Sequence, residues 1–253
     1  MLHLSIKNVE YQIDVESPLD ISIPLKAGLD NPNCYGSEPP SAEIIKSETF
    51  IGSVAEGGPC NHNRWSFSPH GNGTHTECYG HISQDPSVSI NKCLNRFHFI
   101  TQLVSVETTL ELEDHQVIRW DHLKTKLAAE TPEALVIRTL PNPPDKTKRQ
   151  YTDSNPPYLE VEAAEQLAKL GVVHLLVDLP SVDPEIDNGE LAAHHAFWNY
   201  PDDPRFHSTI TELVYVPDSI EDGIYLLNLQ VISLESDASP SKPILYPIVN
   251  YSK

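Results

Sequence analysis

The sequence predicts an α/β fold, a single domain with a mixed β-sheet and few flanking helices. Three observations carry this. Residues 134–177 read as strand, helix and strand in close succession, a βαβ unit whose two strands run parallel. Many of the remaining apolar residues alternate with polar ones over short runs, the period of half-buried strands. The 22 prolines predict fixed loops and short elements throughout. At 253 residues the chain can bury a full core as one domain, residues 1–253.

Taken in order, residues 2–15 give two short strands. Leu2, Leu4 and Ile6 alternate with polar residues, as do Tyr11, Ile13 and Val15 after a turn near Asn8. Residues 27–40, rich in Gly, Asn and Pro, form a loop. Residues 50–54 and 65–67 are strand-like, so His70 falls just past a strand end, and His62 reads as exposed. Residues 97–106 form a strand with His98 facing solvent, out of phase with Phe97 and Phe99. Residues 120–130 carry a helix signal, with Asp121 as N-cap and Leu123 and Leu127 on one face.

Residues 134–139 are a short apolar run, hence a buried strand. Residues 141–157 form a proline- and charge-rich loop. A helix over residues 158–170 has Val161, Ala164, Leu167 and Ala168 as its apolar face and Gly171 as its stop. Residues 172–177 follow as a second buried strand. Residues 192–198 suit a short helix, and residues 199–206, with Pro201 and Pro204, a loop. Residues 209–214 and 223–234 close the pattern as strands.

Asp and Glu number 36 against 17 Lys and Arg, for a net charge of −19. A surface this acidic argues against nucleic acid and against an anionic membrane. No apolar run approaches a membrane span, and no signal peptide is recognisable. The four cysteines form no C-x-x-C pair, so free thiols in a reducing cytoplasm are expected.

The richest stretch is residues 69–81, Pro-His-Gly-Asn-Gly-Thr-His-Thr-Glu-Cys-Tyr-Gly-His. Imidazole and carboxylate are the ligand set of zinc, manganese and iron. His75 and Glu77 alternate and face one side of an extended segment. His81 lies an even number of residues further on and shares that side if the segment stays extended. His70 is out of phase and needs a bulge or turn at residues 71–73 to reach the same point. Cys78 is out of phase with His75 and Glu77, and a structural Cys/His zinc site is disfavoured.

This stretch resembles the signature of the cyclase family, which includes bacterial kynurenine formamidases and isatin hydrolases: His-x-Gly-Thr-His-x-Asp-x-Pro-x-His. Gly73, Thr74, His75 and His81 match it in register. His70 stands one residue early, Glu77 replaces Asp, and Tyr79 replaces Pro. Other segments recur in the family's order. Residues 20–25 resemble its opening Asp-Ile-Ser-x-Pro-Leu, and residues 134–139 its Leu-Ile-Arg-Thr strand. Residues 178–184 resemble its Asp-x-x-Ser-x-Asp-Pro loop, residues 210–213 its Ile-x-Glu-x-Leu strand, and residues 239–244 its turn before the last strand.

The resemblance implies a swivelling β/β/α fold with a barrel-like core, and a small-molecule substrate. It also implies a homo-oligomer, dimer or tetramer. It makes His194, with His195 as fallback, and Glu212 metal ligands beside His70, His75 and Glu77. It makes His81 the general acid/base. The cofactor would be a divalent metal, zinc or manganese, one or two per chain. Tyr35 is either a pocket residue or a packed loop aromatic. Asp178 and Asp183 either support the site or cap loops.

The chemistry implied is hydrolysis of an amide-type C–N bond, a formamide or cyclic amide, by a metal-activated water. No G-x-S-x-G elbow, phosphate loop or dinucleotide fingerprint is present. Two other classes stay open: a non-catalytic small-molecule-binding protein on the same fold, and a metal-dependent cyclase or lyase.

Overall fold

A computed structural model describes residues 1–6, 8–110 and 115–252, the side chains of residues 251 and 252 excepted. The first half holds strands β1 (Leu2–Ile6), β2 (Val9–Ile13), β3 (Leu19–Asp20), β4 (Ser41–Ile44), β5 (Asn63–Ser66) and β6 (His75–Cys78). Helix α1 (Pro69–Asn72) precedes β6, and α2 (Ile90–Cys93) follows it. Then come β7 (His98–Glu107), β8 (Thr109–Leu110), β9 (Gln116–Ile118), α3 (Trp120–Lys124), β10 (Ala134–Leu140) and β11 (Tyr158–Leu159). The remainder is α4 (Val161–Lys169), β12 (His174–Val177), α5 (Ala192–Trp198), β13 (Thr209–Glu212), β14 (Gly223–Val231) and β15 (Ala238–Ser252).

Seven strands close into a mixed barrel in the order β15-β14-β7-β10-β12-β13-β6, with β6 pairing back to β15. β7, β10, β12 and β13 run parallel to their neighbours within that group. The remaining pairings around the ring are antiparallel. β15 makes closure possible through its length. It pairs with β6 at Ala238–Pro240, with β14 from Ser241 to Pro247, and with β2 at its far end.

The apolar run of β10 follows from burial on both faces, as parallel strands require. Ala134 and Val136 join Leu103, Leu176, Leu227 and Leu245 inside the barrel. Leu135 and Ile137 face outward onto Ala163, Ala164 and Leu167 of α4. Burial of each large aliphatic side chain contributes about 1.5–3 kcal/mol. The βαβ unit is present as expected, with β10 and β12 parallel.

Several local expectations shift. Tyr158 and Leu159 pair with β9 rather than opening the helix. α4 therefore starts at Val161, which is exposed instead of packed, and its buried face is Ala163, Ala164 and Leu167. α3 ends at Lys124, and its first amide, Trp120 N–H, donates to Glu160 from across the sheet, so Asp121 is not the cap. Residues 50–54 form no strand beyond a single bridge between Lys46 and Ile51. His62 and His98 are exposed, as expected. No helix among the described residues is long and apolar enough to cross a membrane.

Candidate metal centre

β6 sits between β13 and β15, with His75 opposite Glu212 on one side and Pro240 on the other. The pleat sends Thr76 and Cys78 into the barrel, where Thr76 meets the Thr211 hydroxyl at 2.8 Å. His75 and Glu77 take the opposite face, and Glu212 at the end of β13 joins them. The centre thus lies outside the barrel wall, at the carboxyl end of a parallel strand.

α5 covers that face. Ala193, Phe197 and Trp198 pack into the outer core, which turns His194 toward the sheet. Its neighbour His195 points elsewhere, as helix geometry requires, and its Nδ1–H donates to the Tyr200 carbonyl at 2.9 Å. His194 Nε2 lies 3.0 Å from Glu77 Oε1 and 3.7 Å from Glu212 Oε1. Its Nδ1 lies 2.5 Å from Asp183 Oδ2, and Asp183 also accepts the Ala193 and His194 amides. Asp183 therefore fixes the tautomer and the angle of the ring. Asp178 does something else: buried, it accepts from Thr139 and from Lys146 Nζ at 2.8 Å.

His70 reaches the centre because residues 69–72 form a helical turn. That turn absorbs the extra residue before Gly73. The Asn72 side chain pins it, accepting the Ser68 amide at 2.6 Å and donating to Asn33 Oδ1 at 2.6 Å. Gly71 is needed here, since a Cβ would lie 2.1 Å from Ser37 Oγ. His70 Nδ1 lies 3.2 Å from Glu77 Oε2, and its Nε2 lies 2.9 Å from Asp237 Oδ2. His81 follows a short helical turn over residues 79–81 rather than an extended run. Its Nδ1 lies 3.2 Å from Asp237 Oδ2 and 3.9 Å from Glu77 Oε2.

The other four expected ligands and His81 thus gather around Glu77. Asp237 is the residue that sequence reasoning missed. Its place is set by pairing, since the next residue, Ala238, lies opposite Glu77. Tyr35 lines the adjoining cavity of about 370 Å³ and donates its hydroxyl to the Pro180 carbonyl at 2.8 Å.

The electrostatics favour positive charge. Burial raises the Glu77 carboxyl, but His81, His194 and His70 outweigh it and hold the group well below the usual carboxylate range. Burial works against protonation of His194, yet Glu77, Asp183 and Glu212 push it well above an ordinary imidazole. His70, likewise opposed by burial, is pushed up to about 10 by Asp237 and Glu77.

Two atoms show what the cluster lacks. The His75 Nδ1–H donates to the Gly73 carbonyl at 2.9 Å, so its proton is on that nitrogen. Nε2 is buried without a hydrogen-bond partner, 3.3 Å from Glu212 Oε2, while Glu77 Oε2 makes no aligned hydrogen bond and has His70 Nδ1 3.2 Å away. Glu212 Oε1 is already taken by the Val182 amide at 3.0 Å. Lone pairs turned toward one another in a dry site repel unless a cation lies between them. The donor set, imidazole nitrogen and carboxylate oxygen, fits a divalent metal.

A closed mixed barrel with such a His/carboxylate centre beside one strand end defines an α/β protein built to hold a divalent cation. Comparison with known proteins gives the family. The model of the Cyclase family ("Putative cyclase") matches residues 19–184. Kynurenine formamidase of Bacillus anthracis is 30% identical over 231 residues, covering 91% of this chain and 97% of that protein. The chain belongs to the Cyclase family. Two solved structures show the same fold. One is described as a predicted metal-dependent hydrolase from Bacillus stearothermophilus, with TM-score 0.58 and 15% identity, covering 91% of this chain and 98% of the other. The second is isatin hydrolase A from Labrenzia aggregata, with TM-score 0.64 and 13% identity, covering 91% and 93%.

Proposed function

We propose that this protein is a metal-dependent hydrolase of an amide-type C–N bond, a formamide or a cyclic amide. The observation that carries the reading is the buried His75 Nε2, unpartnered and 3.3 Å from Glu212 Oε2, beside the cluster of Glu77, His194 and His70. The kynurenine formamidase and isatin hydrolase relatives support the bond type. His75, Glu77 and Glu212 would hold the cation, with His194, beside Glu77 and Glu212, and His70, beside Glu77, as further ligands. Zinc or manganese fits the donors, one ion or two, and Glu77 belongs to both groups of candidate ligands, with His75 and Glu212 and with His70 and His81. When bound, the metal supplies an activated water and polarises the scissile carbonyl.

The chain's own residues do the rest. Asp183 holds His194 in the tautomer that leaves Nε2 free to bind. The Val182 amide engages one Glu212 oxygen and leaves the other to the centre. His81, on the cavity floor, directs Nδ1 at Asp237, so in the neutral ring Nε2 carries the lone pair. That nitrogen takes a proton from the attacking water and returns it to the leaving amine. A homo-oligomer in the cytoplasm, working on a small molecule, completes the reading.

The test combines elemental analysis of protein purified without added metal with turnover of formanilides and cyclic amides. We expect bound zinc or manganese and hydrolysis. His81→Ala should keep metal and fold and lose about 10²–10⁴-fold in kcat. Stoichiometric metal with no turnover on any amide would favour a binding protein. An unchanged rate in His81→Ala would remove His81 from the mechanism.

A further inference from the structure

The cavity over the centre differs sharply in charge from what a carboxylate-bearing substrate needs. Its floor is His70, His81, His194 and Glu212. Its walls carry the hydroxyls of Tyr35, Ser37, Ser68 and Ser181, and its rim carries Glu185 and Asp187, both half-buried. Among the described lining residues there is no lysine and no arginine.

The two rim carboxylates are fixed in place. Glu185 accepts the amides of Asp153 at 2.7 Å, and of Ser154 and Asn155 at 3.2 Å each. Asp187 accepts the Gly189 amide at 2.8 Å and the Leu191 amide at 2.7 Å. Bound this way, neither can swing aside when a like charge approaches. Glu77, Glu212 and Asp237 together carry one negative charge more than a single divalent cation at the centre would neutralise. The tail of a bound substrate, pointing out of the cavity, therefore meets the rim. A free carboxylate there faces like charge and finds no guanidinium or ammonium to receive it. An ammonium finds two preorganised acceptors.

Resting on the hydrolase reading, we infer that this enzyme takes amides whose tail is neutral or bears an ammonium, and discriminates against those bearing a free carboxylate. The probes are three formanilides that differ at one ring position: aminomethyl, ethyl and carboxymethyl. Their kcat/KM should fall in that order, with about tenfold or more between the extremes. The double variant Glu185→Gln/Asp187→Asn removes both rim charges and keeps one acceptor oxygen on each side chain; it should collapse most of that gap, with the ethyl compound as the reference for any general loss that the altered loop contacts cause. A carboxymethyl compound cleaved as well as the aminomethyl one overturns the inference, as does a gap that the double variant leaves intact.

Binding separates the two levels of the argument. The three corresponding anilines, titrated calorimetrically into metal-free protein, should bind in the same order of charge. If none of the formanilides is cleaved, the hydrolase reading fails, yet the aniline order still decides the charge preference. Equal binding of all three anilines would overturn it.

Discussion

Two histidines of this chain are buried equally and serve opposite ends. His194 is 1% exposed and His174 3%. His194 on α5 looks at Glu77, Asp183 and Glu212, and these carboxylates override burial and favour a positive ring, or a cation in its place. His174 opens β12, at the end of the strand away from the centre. Its Nδ1 meets the Thr209 hydroxyl at 2.8 Å, and its ring packs tilted against Phe99, with the centroids 3.9 Å apart. Burial, together with Arg96, Arg205 and His207, pushes its pKa down to about 3. Burial alone therefore does not mark a functional histidine; the sign of the surrounding charge does.

The sharpest way to break this contrast is to remove a histidine from the carboxylate cluster. His75→Ala should deplete bound metal and abolish turnover, because Nε2 has no other role in the fold. The loss should exceed the roughly 100-fold that removing a supporting partner costs. Metal content at the wild-type level in that variant would sink the ligand assignment.

A smaller effect should come from Asp183→Asn. The amide keeps one acceptor oxygen, enough for the Ala193 amide, but loses the charge and the second oxygen that steady the His194 ring. Metal affinity, followed by competition with a chelator, should fall about 10–100-fold. Unchanged affinity would reduce Asp183 to a cap for the start of α5.

What could be read from the sequence follows how local each placement is. His75 and Glu77 were legible by alternation alone, since strand pleat fixes a shared face within three residues. His70 was legible only as a need for a turn; the anchoring of Asn72 by Asn33 comes from a loop distant in sequence. His194 and Glu212 became candidates by resemblance, because the docking of α5 has no local signature. Asp237 was beyond reach. It enters through the pairing of β15 with β6, a contact across most of the chain. The charged rim was equally hidden, since Glu185 and Asp187 become carboxylates of interest only once the cavity exists. The misplaced helix start at residue 158 has the same origin: β9 captures Tyr158 and Leu159 as a strand, overriding their helical pattern.

The last test concerns His174, where the effect is on stability and the sign can be worked out. Unfolded, this ring titrates near 6.5. Folded, it stays neutral down to about pH 3, because Phe99 and the apolar interior exclude solvent and Arg96, Arg205 and His207 oppose a further positive charge. Above about pH 7 both states are neutral and the full stability is present. As pH falls below about 6.5 the unfolded chain takes up a proton that the folded chain refuses, so stability is lost with falling pH. One group of this kind costs about 2 kcal/mol at pH 5 relative to pH 8. The carboxylate-ringed histidines work in the opposite direction, so the raw pH profile mixes the two. The comparison that isolates His174 is wild type against His174→Gln, whose amide can still bond to Thr209. Denaturant midpoints between pH 8 and pH 5 should drop less steeply in the variant, whatever its absolute stability. Parallel profiles would show that His174 accepts its proton in the folded state, and the contrast between the two buried histidines would then be one of position only.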